Sequence, residues 1–591
     1  MNCSNKFKLT AVALMVGTAM SANAALYQVI EVSPEVNGDV VDYQTAYGVA
    51  IQQGDVIDAS TDSPFALGCF DAKANCTPEQ FKLAVETRTT PISASQEVDG
   101  NSYREEIPFA MDAGFYYLDE VGDFERYCKN EKRYSTCDSW AAVNWSPWGK
   151  ERYSKDYTSN ALAFVENSAD AYKNEYNNVI NSLTESGQAV GNQSIVSASD
   201  SATLETRNTV VAPTLPNIVP SSETAEVVES RAWKTDGTFT VGSISEKASN
   251  TNGAHHTSKA AIWDKSGLIS QVPWPSTNWK DGERLAQGSM RDFVVDGTTI
   301  YGVGYNTYSK NDNYLNATVF VGTLKSESSL TNISTWQNKE VVGARQREGD
   351  DTVHSNSRLT NVNKNFVAIG EAKRSGAYLM STGAAPNRLF VVDDVTADSV
   401  SAYYLAEVGG IFFSGAGGQM GGINSYNEIV GQLDAEKTRE EEGKPRRKRG
   451  FIYTYTKNNE LPSTRAESIF GDQPWFLDDL TNGANDPSAT SRDISDSNNE
   501  FRIINASDIN DAGVISATAM KCAGGYDTTA HNSICSSGEE KIVAVKLKPI
   551  PGATKANIQP RSVEEEAAER QGAGLGWLAL TMLGLFGFRR K

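Results

Sequence analysis

The chain has 591 residues, of which 22% are charged and 39% are hydrophobic, a balance typical of folded proteins rather than disordered ones. Its 48 glycines and 9% aromatic residues favour a β-rich fold, and the length allows a large core. The formal net charge of -20 repels phosphate backbones and anionic lipid head groups at long range, so nucleic acid is excluded as an expected partner.

Residues 1–24 have the layout of a secretory signal peptide. Lys6 and Lys8 form a positive start, and the apolar segment 9–20 that follows is too short to anchor the chain in a bilayer. The segment ends in an A-N-A processing site, so we expect cleavage between Ala24 and Ala25. Export by this route implies a translocon and a signal peptidase as partners. A buried N-terminal helix is the alternative.

A first β repeat is predicted at 25–60, and an insert of different composition follows at 61–178. The insert contains four of the cysteines and a dense run of aromatic residues at 115–157. This run, which includes Trp140, Trp145 and Trp148, is interpreted as the insert's own core, with a stacking platform for sugar rings as the alternative. Apolar residues at three- and four-residue spacing predict a helix at 160–183.

Seven cysteines occur, and Cys3 would leave with the signal peptide. The six that remain form three close couples, which favours three short-range disulfides in an oxidising compartment. The couples are Cys69 with Cys76, Cys128 with Cys137, and Cys522 with Cys535. A zinc cluster is the alternative, but the spacings are not those of zinc motifs and the chain has only four histidines.

A weak repeat runs from the first β repeat through a domain predicted at 179–550. Its kernel is a turn of Asn, Asp or Gly, followed by a short strand-forming run that ends on Gly or another small residue. Seven segments fit this kernel: 46–59, 179–191, 232–242, 293–304, 359–370, 421–431 and 504–517. One such unit cannot bury both of its faces, so neighbouring units must pack together. The prediction is a mainly β, propeller-like array of about seven hairpin or meander units, and a β-sandwich is the alternative.

The kernel at 423–431, INSYNEIVG, with GFIY at 450–453, resembles the short extracellular repeats called HAF, whose pattern is about I-N-x-x-G-x-I-V-G followed by A-F-x-W. The layout of nearly the whole chain also resembles the DUF3466 group of bacterial envelope proteins. That resemblance implies an envelope address and brings no activity with it.

The C-terminal end begins with an acidic spacer at 551–571 and continues as a tail at 572–591. The tail has an uncharged apolar run up to Phe588, and Arg589, Arg590 and Lys591 end the chain. A helix of this length nearly crosses the roughly 30 Å hydrocarbon core of a bilayer. The basic end is expected to stay in the cytoplasm, which puts the preceding chain outside. A buried core helix is the alternative.

The tail resembles the GlyGly-CTERM class of bacterial sorting tails, in which small residues precede an apolar helix and a basic end. The small residues here are Gly572, Ala573 and Gly574. The resemblance implies processing by a rhombosortase-like protease. Ala573 stands where many of these tails have a second glycine. The match to the tail pattern is therefore weaker at the processing motif than along the apolar helix that inserts into the membrane.

We recognise no catalytic or cofactor motif in the sequence. The glycine-rich segment 408–422 lacks the Lys-Ser/Thr of a phosphate loop and is interpreted as tight turns. His255 and His256 have no third metal ligand in sight, and the acid-then-base run 439–449 is interpreted as an exposed, self-neutralising loop. Asp493, Asp496 and Glu500 are candidate calcium ligands, because they are acidic residues close together in a Ser/Asn-rich segment.

The sequence therefore predicts an exported envelope or cell-surface protein that acts as a non-catalytic β-repeat module binding a surface protein or a glycan. The alternative is an extracellular hydrolase or lyase acting on polysaccharide or peptide, because propellers can bring acids from several blades together. Three clustered buried carboxylates at the repeat axis would favour the enzyme, and a flat aromatic or polar loop face would favour the binding module.

Overall fold

The structure of the chain, a computed structural model, covers the region from Ala25 to Val563. It describes residues 25–36, 39–40, 43–88, 120–133, 137–149, 154, 162–168, 172, 178–196, 204–217, 227–251, 253–275, 277, 279–281, 284–308, 313–324, 336–374, 377–379, 387–437, 446–456, 464–483, 492–536 and 538–563. The predicted signal peptide at 1–24, the end of the acidic spacer and the predicted sorting tail at 572–591 lie outside the described residues.

Seven antiparallel sheets of three to five strands, blades 1–7, form the described body. The strands up to blade 3 are β1 (Tyr27–Glu31), β2 (Glu35–Val36), β3 (Asp39–Val40), β4 (Thr45–Ile51), β5 (Ile57–Asp58), β6 (Ser63–Pro64), β7 (Leu83–Arg88), β8 (Leu162–Val165), β9 (Val179–Leu183), β10 (Ala189–Val196), β11 (Leu204–Val211), β12 (Val227–Thr235), β13 (Phe239–Asn250), β14 (Gly253–Asp264) and β15 (Ile269–Gln271). The strands after blade 3 are β16 (Lys280–Asp281), β17 (Arg284–Leu285), β18 (Gly288–Asp296), β19 (Thr299–Thr307), β20 (Leu315–Thr323), β21 (Trp336–Glu340), β22 (Gln346–Glu348), β23 (Asp351–Val362), β24 (Ala368–Arg374), β25 (Arg388–Val392), β26 (Ala402–Tyr404), β27 (Gly418–Ile423), β28 (Glu428–Asp434), β29 (Lys448–Thr454), β30 (Trp475–Phe476), β31 (Phe501–Ile509), β32 (Ile515–Cys522) and β33 (Glu540–Pro549).

Each blade is a meander whose consecutive strands pair side by side. Blade 1 is β4-β7-β8, blade 2 is β9-β10-β11, blade 3 is β12-β13-β14-β15, blade 4 is β18-β19-β20-β21, blade 5 is β22-β23-β24-β25-β26, blade 6 is β27-β28-β29-β30, and blade 7 is β31-β32-β33-β1. Short hairpins β2-β3, β5-β6 and β16-β17 lie outside the blades. This is a seven-bladed β-propeller, which confirms the predicted array of about seven units and makes the β-sandwich alternative wrong.

The seven predicted kernels coincide with the innermost strands of the seven blades. In blades 2–7 each kernel is the turn between the inner strand and the next strand, as in the β9-β10 and β31-β32 pairs. In blade 1 the kernel contains the inner strand β4, but its partner β7 follows only after a loop of about thirty residues that includes the small hairpin. The turns need left-handed backbone, which Gly237 supplies at φ 84° and Gly513 at φ 86°.

Hydrophobic clusters lie between neighbouring blades all round the ring. Blades 3 and 4 share a cluster that contains Val241 and Phe320, and blades 5 and 6 share one that contains Val391 and Phe451. All four side chains are completely buried. Because a blade has an apolar residue set on both of its faces, each blade is stable only between two others.

The insert is smaller than predicted, because β7 and β8 belong to blade 1. The predicted helix at 160–183 is wrong: β8 pairs with β7, and β9 is the inner strand of blade 2. In the described part of the insert the helices are α1 (Val121–Tyr127) and α2 (Cys137–Gly149), and a π-helical turn at Cys128–Lys132 follows α1. Elsewhere the described helices are α3 (Thr464–Phe470), α4 (Leu477–Leu480), α5 (Arg492–Asn498) and single 3-10 turns at Gly68–Phe70, Leu405–Glu407 and Lys555–Asn557.

All six remaining cysteines are disulfide-bonded in the predicted couples. The bonds are Cys69–Cys76, Cys128–Cys137 and Cys522–Cys535. The Cys128–Cys137 bond joins α1 and α2 within a small cluster that also buries Phe124 and Trp140. Every helix in the described part of the chain is too short or too polar to pass through a bilayer.

An asparagine in the kernel turn links each of three blades to the next one. Asn363 Nδ2 donates to the Asn424 carbonyl at 2.8 Å, Asn424 Nδ2 to the Asn510 carbonyl at 3.0 Å, and Asn510 Nδ2 to the Gln52 carbonyl at 3.0 Å. The Oδ1 atoms of the same three asparagines accept N–H groups of their own turns. We call Asn363, Asn424 and Asn510 the asparagine relay. Its hydrogen bonds link the kernel turns of blades 5, 6 and 7 to one another and to blade 1.

Replacing Asn424 by alanine is expected to lower the free energy of unfolding by about 2–3 kcal/mol, because buried turn N–H groups and the Asn510 carbonyl lose their partner. Chemical denaturation measures the change. Thr298→Ala is the control, since Thr298 lies in the equivalent turn of blade 4 and is exposed. Equal losses for the two variants would show that the relay contributes nothing.

Candidate functional site

A polar channel of about 150 Å³ runs along the axis of the propeller. Every blade contributes side chains from its inner strand, so the channel exists only in the closed ring. One lining residue from each blade in turn is Tyr47, Asn181, Lys234, Arg291, Thr360, Gln419 and Ser507. The lining residues of the inner strands stand at varying distances ahead of the kernel turns: Lys234 comes two positions before Asp236-Gly237, whereas Arg291 comes five before Asp296-Gly297.

Two arginines of the channel are held by neighbours. The Arg291 guanidinium carbon lies 3.5 Å from the centroid of the Trp233 ring, a cation–π contact between blades 4 and 3. Arg358 Nε and Nη2 donate to Glu371 Oε1 at 2.9 and 2.6 Å within blade 5. The Glu371 carboxylate also accepts the Met420 N–H of blade 6 at 3.1 Å. These contacts hold both guanidiniums in place, and the ion pair with Arg358 neutralises the charge of Glu371.

Two aspartates near the axis occupy equivalent positions in blades 4 and 7, just after a β-bulge of the inner strand. Asp292 Oδ2 accepts the Val362 N–H of blade 5 at 3.2 Å, and Asp508 Oδ2 accepts the Ile51 N–H of blade 1 at 3.1 Å. The Oδ1 atom of each binds the N–H of the following residue. Both carboxylates therefore clamp one blade to the next.

The electrostatics of this pair agree with a clamping role. Burial raises the pKa of Asp508, an effect that Lys234 and two backbone N–H donors partly offset. Burial likewise raises the pKa of Asp292, again partly offset by Lys234 and by backbone N–H donors. Lys234 is thus the cation that interacts with both aspartates. The channel combines this charge with the amides of Asn505 and Gln419 and with hydroxyl groups of Ser and Thr.

A second charged cluster lies between blades 6 and 7, around the short helix α4. Asp478 is completely buried, Arg449 Nε lies 2.9 Å from its Oδ2, and its Oδ1 accepts the Ile503 N–H at 2.7 Å. Burial opposes ionisation, but Arg449, Arg561 and Arg502 together hold the pKa of Asp478 below its usual value. With all of these groups paired inside the protein, the cluster is structural.

Most of the residues that the sequence singled out lie outside the channel, but Gln419, Met420 and Gly421 at the end of the glycine-rich segment line it. Trp140 is buried beside Tyr127, as the insert-core interpretation expects, while the side chain of Trp148 falls outside the described set. Gly409 and Gly415, at φ 84° and 82°, confirm that the glycine-rich segment makes tight turns. The basic end of 439–449 is not an exposed loop: Arg446 and Arg449 are buried and paired with Asp434 and Asp478, because blade packing covers them.

The calcium and histidine candidates gain no support. In the described residues no group of three His, Cys, Asp or Glu side chains is arranged to hold a metal ion. Asp496 and Glu500 lie in and just after α5, while the side chains of Asp493, His255 and His256 fall outside the described set. Sequence reasoning missed the channel, because its lining residues stand at no constant distance from the kernel turns.

Comparison with known proteins gives one family and a set of distant structures. A family model described as "Protein of unknown function (DUF3466)" matches residues 232–591. No curated protein matches the chain significantly.

Among solved structures, a chain titled "Glycoside hydrolase" is 9% identical, with 59% of this chain and 94% of that chain covered and a TM-score of 0.24. Bacillus subtilis levansucrase is 10% identical over 60% of this chain and 93% of that chain, at a TM-score of 0.24. The GH32 β-fructofuranosidase BmSUC1 of Bombyx mori is 8% identical over 73% and 63%, also at 0.24. Similarity this low supports no inference about activity.

Asp478→Asn is expected to cost about 3–5 kcal/mol of unfolding free energy, because three buried guanidiniums lose their common anion. The lowered pKa means that the wild-type carboxylate stabilises the fold fully above about pH 4 and loses this effect as the pH falls further. The variant should therefore show a flatter loss of stability below pH 4 in thermal unfolding. Asp138→Asn is the control, because that side chain is 84% exposed; similar effects of the two variants would contradict the assignment.

Proposed function

The chain belongs to the DUF3466 family, and we propose that it is an exported binding module that takes a polar, hydroxyl-rich ligand, such as the end of a glycan, in its axial channel. The proposal includes an address in the cell envelope or on the cell surface. It includes no catalytic step.

The hydrogen bonds and ion pairs of the axial carboxylates favour binding over hydrolysis as the function of the channel. Three carboxylates lie at or near the channel, as an enzyme would require, but each already has a structural task. Asp292 and Asp508 clamp neighbouring blades through backbone N–H groups, and Glu371 is paired with Arg358. Glycoside hydrolysis needs one carboxyl to give a proton and another to attack or to activate water. Neither role suits a group that holds the blades together.

The lining chemistry suits a ligand rich in hydroxyl groups. Amides such as those of Asn505 and Gln419 donate and accept hydrogen bonds, as sugar hydroxyls also do. Lys234 adds one donor group with a positive charge, and Tyr47 and Met420 provide apolar contact area. A volume of about 150 Å³ favours a single ring or chain end over a long segment lying across the site.

The address rests on the two ends of the sequence and is supported by the disulfides. Three disulfides are typical of a protein that folds in an oxidising compartment. Ala25 and Leu26, which directly follow the proposed signal cleavage site, are completely buried, so the chain just after that site is part of the folded body. In the proposed arrangement the tail from Gly572 anchors the protein, with the basic end at 589–591 in the cytoplasm, until a rhombosortase-like protease cuts it.

Gln419→Leu is expected to weaken binding of a retained polysaccharide at least tenfold, because an apolar side chain then replaces two hydrogen-bonding groups of the channel. Affinity electrophoresis of the purified full-length chain through gels containing single soluble polysaccharides measures this change. Gln337→Leu, on the exposed outermost strand of blade 4, is the matched control.

The same polysaccharides, incubated with wild-type protein, should release no reducing ends. Release that disappears in Asp508→Asn while the variant remains folded would replace the binding module by the hydrolase. Absence of retention on every glycan tested, or equal retention of the two Gln variants, would contradict the channel as the glycan site.

Intact mass spectrometry of protein isolated from an exporting bacterium should find Ala25 at the N-terminus and a mass lower by six thiol hydrogens than the reduced chain. Ala24→Leu should retain residues 1–24, because the processing site needs a small residue there. A wild-type protein recovered with free thiols and an intact N-terminus would contradict the proposed address.

A further inference from the structure

A second cavity, of about 270 Å³, lies between blades 5 and 6. It is bounded by the beginning of β23, the end of β24, the beginning of β25 and the connection from blade 5 to blade 6, so it opens on the side of the propeller away from the kernel turns. The connection is the glycine-rich segment that the sequence singled out. Its Phe412 and the Leu389 side chain form an apolar wall.

Two guanidiniums are fixed at the polar side of this cavity. The Arg388 guanidinium carbon lies 3.5 Å from the Tyr404 ring centroid, and Arg388 Nη1 donates to Gln346 Oε1 at 2.9 Å. Arg374 Nε donates to the Tyr378 carbonyl. A guanidinium has five N–H donors in a rigid fork, so these bonds hold each arginine in place and leave further donors for a ligand.

His354 lines the same cavity and is unusual for a buried polar side chain. It is 1% exposed, and within the described residues neither ring nitrogen has a hydrogen-bond partner. Burial, together with Arg388 and Arg374, lowers the pKa of His354 to about 3, so the imidazole is neutral at physiological pH. A neutral imidazole offers one donor and one acceptor, and leaving both without partners in a packed interior is costly. A polar ligand would satisfy them.

The charge of the cavity selects among anions. Arg374 and Arg388 contribute two positive charges, and Glu348 at the exposed side contributes one negative charge. The net charge of about one favours a monoanion, and the planar arginine forks match a carboxylate. The apolar wall and the volume add a body of roughly the size of one sugar ring or one amino acid.

We propose that this cavity binds a small carboxylate, with its anionic group between Arg374 and Arg388. His354 then pairs with a polar group beside the carboxylate, and the body of the ligand packs on Phe412 and Leu389. Sugar acids and acylated amino acids share this chemistry and are the two sources to distinguish. The site is separate from the axial channel and does not depend on the function proposed for it.

Calorimetric titration of the purified full-length chain tests the proposal with D-galacturonate and N-acetyl-L-leucine as probes. Their neutral counterparts, D-galactose and N-acetyl-L-leucinamide, have the same bodies without the charge. We expect at least one acid to bind with a Kd below about 1 mM and its neutral counterpart to bind at least tenfold more weakly. The acid that binds identifies the source.

Arg374→Gln should weaken that binding at least tenfold. Arg347→Gln is the matched control, because it removes the same charge from an exposed position nearby that does not line the cavity. His354→Phe keeps both guanidiniums and should weaken binding severalfold, so it serves if Arg374→Gln does not fold. Gln419→Leu, in the separate axial channel, should leave the affinity for the acid unchanged.

Failure of both acids to bind the folded wild type would overturn the proposal. Equal binding of an acid and its neutral counterpart would also overturn it, as would equal losses in the folded Arg374→Gln and Arg347→Gln proteins.

Discussion

The ring depends on the pairing of the two ends of the folded chain. Strand β1 hydrogen-bonds along β33 from the pair Tyr27↔Pro549 to the pair Glu31↔Val545, and so completes blade 7 with residues more than five hundred positions away. A closed propeller leaves short, protected strand edges, whereas an open array would expose the packing faces of its two end blades. The entropic cost of closing a chain loop grows only slowly with the length of the loop. Burial of apolar surface on both faces of every blade therefore outweighs it.

Closure also creates the axial channel, because each blade brings only a few polar side chains to the axis. The clamps act between neighbours: Asp508 binds the Ile51 N–H across the junction of blades 7 and 1, and Asp292 does the same between blades 4 and 5. The asparagine relay fixes the turns at one side of the ring, and the inner strands that precede these turns are held in register. The same local chemistry thus sets the stability of the ring and the position of the channel lining.

Charge is distributed unevenly in this acidic protein. The whole chain has a net charge of -20, yet several arginines are buried at the contacts between blades. Arg465 and Glu428 are both completely buried and form an ion pair at 2.6 Å. Arg374 and Arg388 differ from that pair, because they line a cavity together with a neutral histidine. In an acidic molecule, an anionic ligand would be held by this local field and not by long-range attraction.

The seven blades and the disulfide pairing could be predicted from the sequence, because both depend on residues close together along the chain: a kernel turn with its two strands, and cysteines less than fifteen positions apart. Its prediction of a helix at 160–183 failed since apolar spacing cannot report the pairing of β8 with β7, which lies some eighty residues earlier. The basic end of 439–449 was misjudged for a similar reason, as the burial of Arg449 follows from its contact with Asp478. The side chains that line the axial channel and the cavity between blades 5 and 6 could be identified only in the folded protein. Those side chains come from strands far apart in sequence, and it is the packing of whole blades that brings them together.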